Sequence, residues 1–354
     1  ANDPNLNINS PKQLITLFFE KMKIPILKRT EKGQPQVSVD ALNLYAEQYP
    51  IINTLLRFLG LEKGIGYFND YLCNRIVDDI RNPQDLIRNF YYKVCPSFNQ
   101  MGALTGRFSC NSPNLQNVSN PETSAGKDVI NARMAFRPRN GYVWLCFDYS
   151  QLEARIFACR ANEQSMLQAF CDGRDLHDEC GRAAFGDSME PGQRRKLAKN
   201  IFFCKIFGGG PGVLADKYKV SYQKAKTILE NYDKTFPTIK RHIYAISNKA
   251  KRDGYIENAF GRKIFIRSDS AYAACNYDVQ SSAADLMKNG MIGIDDYLTK
   301  NPKLNAFLIL TIHDELIIEI EQKQATKKIV ADLTKIMENH NGIFQLDMPV
   351  KCEL

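Results

Sequence analysis

Arg195, Lys199, Phe203 and Phe207 stand four residues apart in the stretch RRKLAKNIFFCKIFGGG, residues 194–210. A helix advances 3.6 residues per turn, so such positions share one slowly drifting stripe of its surface. Two fixed cations followed one turn later by flat rings suit a ligand with phosphates at one end and a base at the other. The same row is equally a solvated basic edge beside core aromatics, since Leu197, Ile201 and Ile206 supply apolar material on other faces. A second group is acidic. Asp148 closes the apolar run YVWLCFD, and Asp314 and Glu315 sit between the apolar runs FLILTI and LIIEIE. If those segments are neighbours, three acids converge, and like charges at that distance are stable together only when cations share them. Oxygen ligands with no thiolate or imidazole cluster favour magnesium. Two such ions about 4 Å apart clamp the attacking and leaving oxygens of an in-line phosphoryl transfer. Taken singly, an Asp at a strand end or a polar HDE tip is ordinary turn chemistry.

The elements that must hold these residues are written in the punctuation. Pro191 and Gly192 mark a helix start, and Gly208, Gly209, Gly210 and Pro211 supply its stop. YVWLCFDYS reads as a buried strand and SQLEARIFACRAN as the helix after it. FLILTI and LIIEIE around a three-residue HDE read as a β-hairpin with a polar tip. Near the start, Ser10 with Gln13 resembles a capping box with Pro11 at the first helical position, and Leu14, Ile15, Phe18 and Phe19 form the apolar stripe. Helical patterning continues to about residue 90, gives way to the turn-rich FNQMGALTGRFSCNSPNLQNVSNPE, and returns between about 160 and 265. Ser119–Asp128 reads as a partner loop or, in preference, as a solvated turn.

The whole composition bounds the class. A chain of 354 residues is long for one core, so two or three subdomains are expected. No run approaches the ~20 apolar residues of a membrane span, and the start ANDPNLNINS has no apolar signal region. Ten cysteines contain no C-x-x-C pair and the four histidines stand apart, so neither a zinc site nor a disulfide framework has its spacing. Reduced thiols, a cytoplasmic location, a monomer and no membrane are the expectation. The net charge of +8 leans toward polyanionic partners.

These motifs resemble those of the polymerase module of family A DNA polymerases, in order over nearly the whole chain. DYSQLEAR (148–155) resembles the first catalytic motif, RKLAKNIFFCKIFG (195–208) the fingers-helix motif and HDE (313–315) the last. TGRFS with PNLQN (105–117), GRDLH (173–177), FGRK (260–263) and VQSSAADLMK (279–288) fill the gaps, and NLNINSPKQL resembles the lower thumb. The resemblance implies an α+β right-hand fold with an antiparallel-sheet palm, helical fingers and a partial helical thumb. It divides the chain into a partial thumb at 1–95, palm at 96–160, fingers at 161–268 and palm again at 269–354.

The implied activity is template-directed addition of deoxynucleoside triphosphates to a primer 3′-hydroxyl on primer–template DNA, with two magnesium ions for which manganese substitutes. By resemblance, Asp148 and Asp314 hold the metals, with Glu315 a weaker participant. Arg195 and Lys199 meet the triphosphate, Lys199 also protonating the leaving pyrophosphate. Phe203 lies beside sugar and base, Phe207 approaches the templating pair, His177 contacts phosphates, and Gln151 joins the nucleotide site. Glu153 is the sugar gate that fills the space of a ribose 2′-hydroxyl. Its usual Tyr partner is replaced by Phe207, which removes a hydrogen bond. Arg107, Asn114, Gln116, Asn276, Gln280 and His313 contact the DNA, the first and the Asn276–Gln280 pair through the minor groove, where similar acceptors check geometry without reading sequence. Tyr272 and Thr311 depart from the family's Arg and Gln. His242 and His340 match nothing and read as surface residues, and Lys240, Arg241, Lys249, Lys251 and Arg252 read as a solvated face or, at best, as a contact to template phosphates. No Asp-x-Glu occurs, so no proofreading is expected, and a processivity factor is left open. A single-subunit RNA polymerase is disfavoured by Glu153 and DYSQ, and a silent DNA-binding protein by the intact Asp148, Asp314, Arg195 and Lys199.

Overall fold

The computed structural model describes residues 6–30, 33–73, 75–76, 93–118, 131–186, 190–218 and 220–354. The expected turn at Ser119–Asp128 lies outside them. The chain forms two compact units, residues 1–97 with 111–137, and residues 98–110 with 138–354.

In the first unit, helix α1 (Pro11–Ile15) starts on Pro11, as its fixed φ predicts, and runs into a wider π turn at Thr16–Lys21. The expected capping box does not close. The Ser10 side chain makes no cap bond, and Gln13 Oε1 instead accepts from the Asn7 amide at 2.6 Å. The apolar stripe is as expected: Leu14, Phe18 and Phe19 pack with Ile24, Leu42, Tyr45, Ile52 and Leu55. The last two belong to the long helix α2 (Pro50–Cys73), whose Tyr67 hydroxyl donates to the Asn117 carbonyl at 2.7 Å.

The second unit is built on a four-stranded antiparallel sheet. Its strands are β1 (Tyr142–Tyr149), β2 (Ala306–Ile312), β3 (Glu315–Glu321) and β4 (Val350–Glu353), in the spatial order β4-β1-β3-β2. Period-2 alternation buries Leu145, Phe147 and Tyr149 on one face of β1 and turns Cys146 and Asp148 to the other. The central β3 is buried on both faces from Leu316 to Ile320. Its Glu319 is tolerated there because Arg139 donates from N at 3.0 Å and Nε at 2.5 Å, and Trp144 Nε1 donates at 3.3 Å.

Helices α3 (Leu152–Ala161), α4 (Gln164–Cys171), α5 (Leu176–Phe185), α6 (Pro191–Ile206), α7 (Pro211–Tyr218), α8 (Tyr222–Thr235) and α9 (Pro237–Asp253) follow β1. The 27-residue α10 (Ala274–Lys300) and then α11 (Lys327–Glu338) complete the unit. Close approach of α10 and α11 is set by glycine, since a Cβ on Gly293 would lie 2.6 Å from Ile336 Cγ2. The Tyr149 hydroxyl donates across to the Met337 carbonyl at 2.5 Å, fixing the end of β1 against this pair. Buried acids on α10 are also held: Arg160 donates to Asp278 at 2.8 Å, and Arg262 and Asn258 donate to Asp285 at 2.6 and 2.7 Å. Among the described residues no helix is long and apolar enough to cross a membrane, and no disulfide forms.

Candidate active site

The sheet brings the acids together. Asp148 lies opposite Glu315 in the β1–β3 register and opposite Lys351 in the β4–β1 register, and the Tyr149 amide donates to the Asp314 carbonyl at 3.2 Å. Ile312 pairs with Glu315, so the hairpin tip is the two residues His313 and Asp314 rather than three, and Glu315 already belongs to β3. His313 takes φ +53°, the left-handed first position that a two-residue hairpin turn demands. Burial, then the Glu315 charge, raises the pKa of Asp148. Burial raises that of Asp314, with Arg107 opposing and Asp148 adding to the rise. Two carboxylates whose ionised forms oppose each other are the donor chemistry of a hard divalent cation. The neighbouring Cys146 thiol is pushed up to about 12, by burial first and then by Glu315, so it stays protonated and leaves an oxygen-only donor set. Among the described residues no group of three or more His, Cys, Asp or Glu is placed to hold a metal ion, so the expected convergence of three acids is not found as a three-ligand site. The fit is therefore to an open site of two carboxylates completed by substrate oxygens and water.

Glu153 stands in the first turn of α3, after Gln151 at φ +55°. Arg107 Nη2 donates to Glu153 Oε1 at 2.5 Å and lies 3.6 Å from Asp314 Oδ1, so one guanidinium joins the expected sugar gate to an expected metal ligand. Burial raises the pKa of Glu153 and Arg107 works against it. Glu153 is thus held by a charge-assisted bond from Arg107. This pairing was not legible in the sequence, because 46 residues separate the partners.

On α6, Arg195 and Lys199 are exposed, Phe203 is half-buried and Phe207 is 44% exposed. The two rings stack with centroids 5.8 Å apart and planes 22° apart. Arg195 is held by Asp175, at 2.8 Å from Nη2 and 2.9 Å from Nε, and Asp175 also caps α5 by accepting from the Asp178 amide. Asp175 lies within the GRDLH stretch but is not singled out by residue type there. His177, two residues on, is 4% exposed, with its ring 5.6 Å from Phe202 and 6.5 Å from Phe203. Burial, with the charges of Lys199 and Arg195 adding to it, lowers its pKa to about 4.

Gly208, at φ +74°, ends the row, and a Cβ there would lie 2.8 Å from the Tyr272 carbonyl. Tyr272 in turn precedes Asn276 and Gln280, which share a stripe of α10 and are half-buried. Three expected site residues carry a buried polar atom with no hydrogen-bond partner among the described residues: Gln151 Oε1, His177 Nδ1 and Asn276 Oδ1. Buried polar atoms are rarely left so, and a ligand-binding surface is one place where they are. Asn114 and Gln116 lie in the other compact unit, where the Asn114 side chain accepts from the Gln116 amide at 3.1 Å. His242 and His340 are not the exposed surface residues expected from the sequence but half-buried. His242 is half-buried against Phe157 at 6.3 Å, with its pKa lowered to about 4 by burial, and His340 Nδ1 accepts from the Phe344 amide at 3.3 Å.

Comparison with known proteins follows the same line. The sequence profile of DNA polymerase family A matches residues 1–354. The chain is 31% identical over 363 residues to the thermostable DNA polymerase I of Thermus aquaticus, covering 98% of this chain and 41% of that protein. It is 30% identical over 360 residues to DNA polymerase I of Pseudomonas aeruginosa, covering 98% and 37%. The chain thus spans about two fifths of the length of these curated relatives. The POL domain of Pol1 from M. smegmatis, solved in complex with DNA primer-template and dNTP, superposes with a TM-score of 0.85 at 27% identity, over 98% of this chain and 60% of that one. The α+β fold is that of a family A polymerase domain.

Proposed function

The chain belongs to DNA polymerase family A, and on that premise we propose that it is a template-directed DNA polymerase extending a primer 3′-hydroxyl with deoxynucleotides and releasing pyrophosphate. The observation that carries this reading is the placement of Asp148 and Asp314 at one end of the sheet, where the Tyr149 amide donates to the Asp314 carbonyl and the Asp148 charge helps raise the pKa of Asp314. These carboxylates would hold two magnesium ions, or manganese in their place. When bound, such ions lower the pKa of the attacking hydroxyl and neutralise charge developing on the phosphates.

The chain's own residues do the rest. Arg195 leaves Asp175 to bind the triphosphate, which exchanges one charge-assisted bond for another. Lys199, exposed one turn on, holds the phosphates and gives its proton to the leaving pyrophosphate. Phe203 and Phe207 present stacked faces to sugar and base, and Glu153, aimed by Arg107, fills the place of a 2′-hydroxyl. Asn276 and Gln280 offer amides to the minor groove of primer–template DNA, with Asn114, Gln116 and His313 as further DNA contacts. We assign 1–95 to a partial thumb, 96–160 and 269–354 to the palm and 161–268 to the fingers. The bacterial relatives support a cytoplasmic location.

The test is extension of a labelled primer on a template. Extension should require deoxynucleotides, stop on chelation, return with magnesium or manganese, and vanish in Asp148→Ala. Extension that survives chelation or the substitution would refute the proposal.

A further inference from the structure

Helix α9 buries Ile239, Ile246 and Ala250 and turns His242 toward Phe157, so its outward stripe lies away from that core. The stripe consists of Lys240, Arg241, Tyr244, Asn248 and Lys251, all exposed. A solvated helix face ordinarily mixes signs, because like charges one turn apart repel and opposite ones attract. Here no acidic residue occurs from Pro237 to Arg252. Lys240 lies 3.8 Å from Asp233, but that carboxylate already receives Lys205 at 2.5 Å. Arg252 is neutralised by Asp253, whereas Arg241 and Lys251 have no ion pair among the described residues.

Between the cations stands Tyr244, 70% exposed, its ring in contact with no other among the described residues. On a different flank of the helix, half-buried Lys249 has its Nζ 5.8 Å from the Tyr255 ring. Lys263 approaches that ring to 4.9 Å, and Phe265, 69% exposed, stands 6.0 Å from it.

We propose that this surface of α9 binds single-stranded nucleic acid, with Arg241 and Lys251 on phosphates and the Tyr244 ring stacked on a base. From Lys240 to Lys251 the helix advances roughly 16 Å, so the cations suit an anion with repeated charges rather than a single phosphate. The open ring selects a strand whose base faces are free, which a duplex does not offer. None of these residues belongs to the carboxylate site, so the inference goes beyond the polymerase reading and does not depend on it.

The experiment is fluorescence anisotropy with labelled oligothymidylate and, separately, oligouridylate, across a salt series. Arg241→Glu with Lys251→Glu should weaken binding by more than tenfold and flatten the log–log salt slope by at least about 1.4, at ~0.7 per phosphate lost. Tyr244→Ala should weaken it about fivefold or more and Tyr244→Phe should restore it. An unchanged affinity in either the charge-reversed or the Tyr244→Ala protein would overturn the proposal. So would competition by polyglutamate as effective as by unlabelled oligonucleotide, which would identify an acidic protein surface as the partner.

Discussion

Arg107 holds the most consequential position at the scale of single residues, because it touches Glu153 and lies beside Asp314. A charge-assisted bond of this kind is worth about 1.5–3 kcal/mol. Arg107→Gln should therefore lower the preference for deoxy- over ribonucleotides by roughly tenfold or more, read as the ratio of kcat/KM values for the two sugars. Phe207→Tyr in that background should recover part of it, since the new hydroxyl can serve Glu153 instead. A ratio unchanged in Arg107→Gln would remove Arg107 from sugar selection. His177 makes a prediction of a different kind. Its folded pKa of about 4 lies below the ordinary value of 6.5, so between those values the unfolded chain binds a proton that the native protein refuses. Stability therefore falls as pH drops from about 6.5 to about 4, by up to on the order of 3 kcal/mol from this group. Denaturant unfolding at pH 4.5 and 7 should show a smaller difference for His177→Phe than for the wild type. An equal difference would show that His177 does not carry the effect.

Elements were legible where the chain punctuates them and illegible where partners are distant. The stop of α6 is written in three glycines, and the β1 strand in a continuous apolar run that ends on Asp148. What the sequence does not contain is the order β4-β1-β3-β2, which depends on pairing across more than a hundred residues, nor the π turn after Ile15. The polar residues of VQSSAADLMK break the apolar pattern of a buried helix. Their reason emerges only in three dimensions, where Ser281 and Asp285 receive Asn258 and Arg262. Gly208 ties two elements together, and its requirement is testable. Ala there meets both a positive φ and the Tyr272 carbonyl, and backbone on both sides leaves nothing flexible to yield. Gly208→Ala should destabilise by about 1–3 kcal/mol in thermal or denaturant unfolding and slow nucleotide incorporation. Wild-type stability would mean that this contact is not required.

For the molecule as a whole, the carboxylates, the cationic helix and the α10 amides all project from the larger unit. The candidate site was legible in residue types and order. Its internal pairings, Arg195 with Asp175 and Arg107 with Glu153, were not, because a cation shows in sequence but its partner does not. The central claim is that Asp148 and Asp314 perform chemistry rather than binding. Single-turnover incorporation of one deoxynucleotide by Asp314→Asn, beside measured binding of primer–template and nucleotide by the same protein, tests it directly. The account predicts binding within a few-fold of wild type and incorporation slowed on the order of 1,000-fold or more. Incorporation close to the wild-type rate would contradict it.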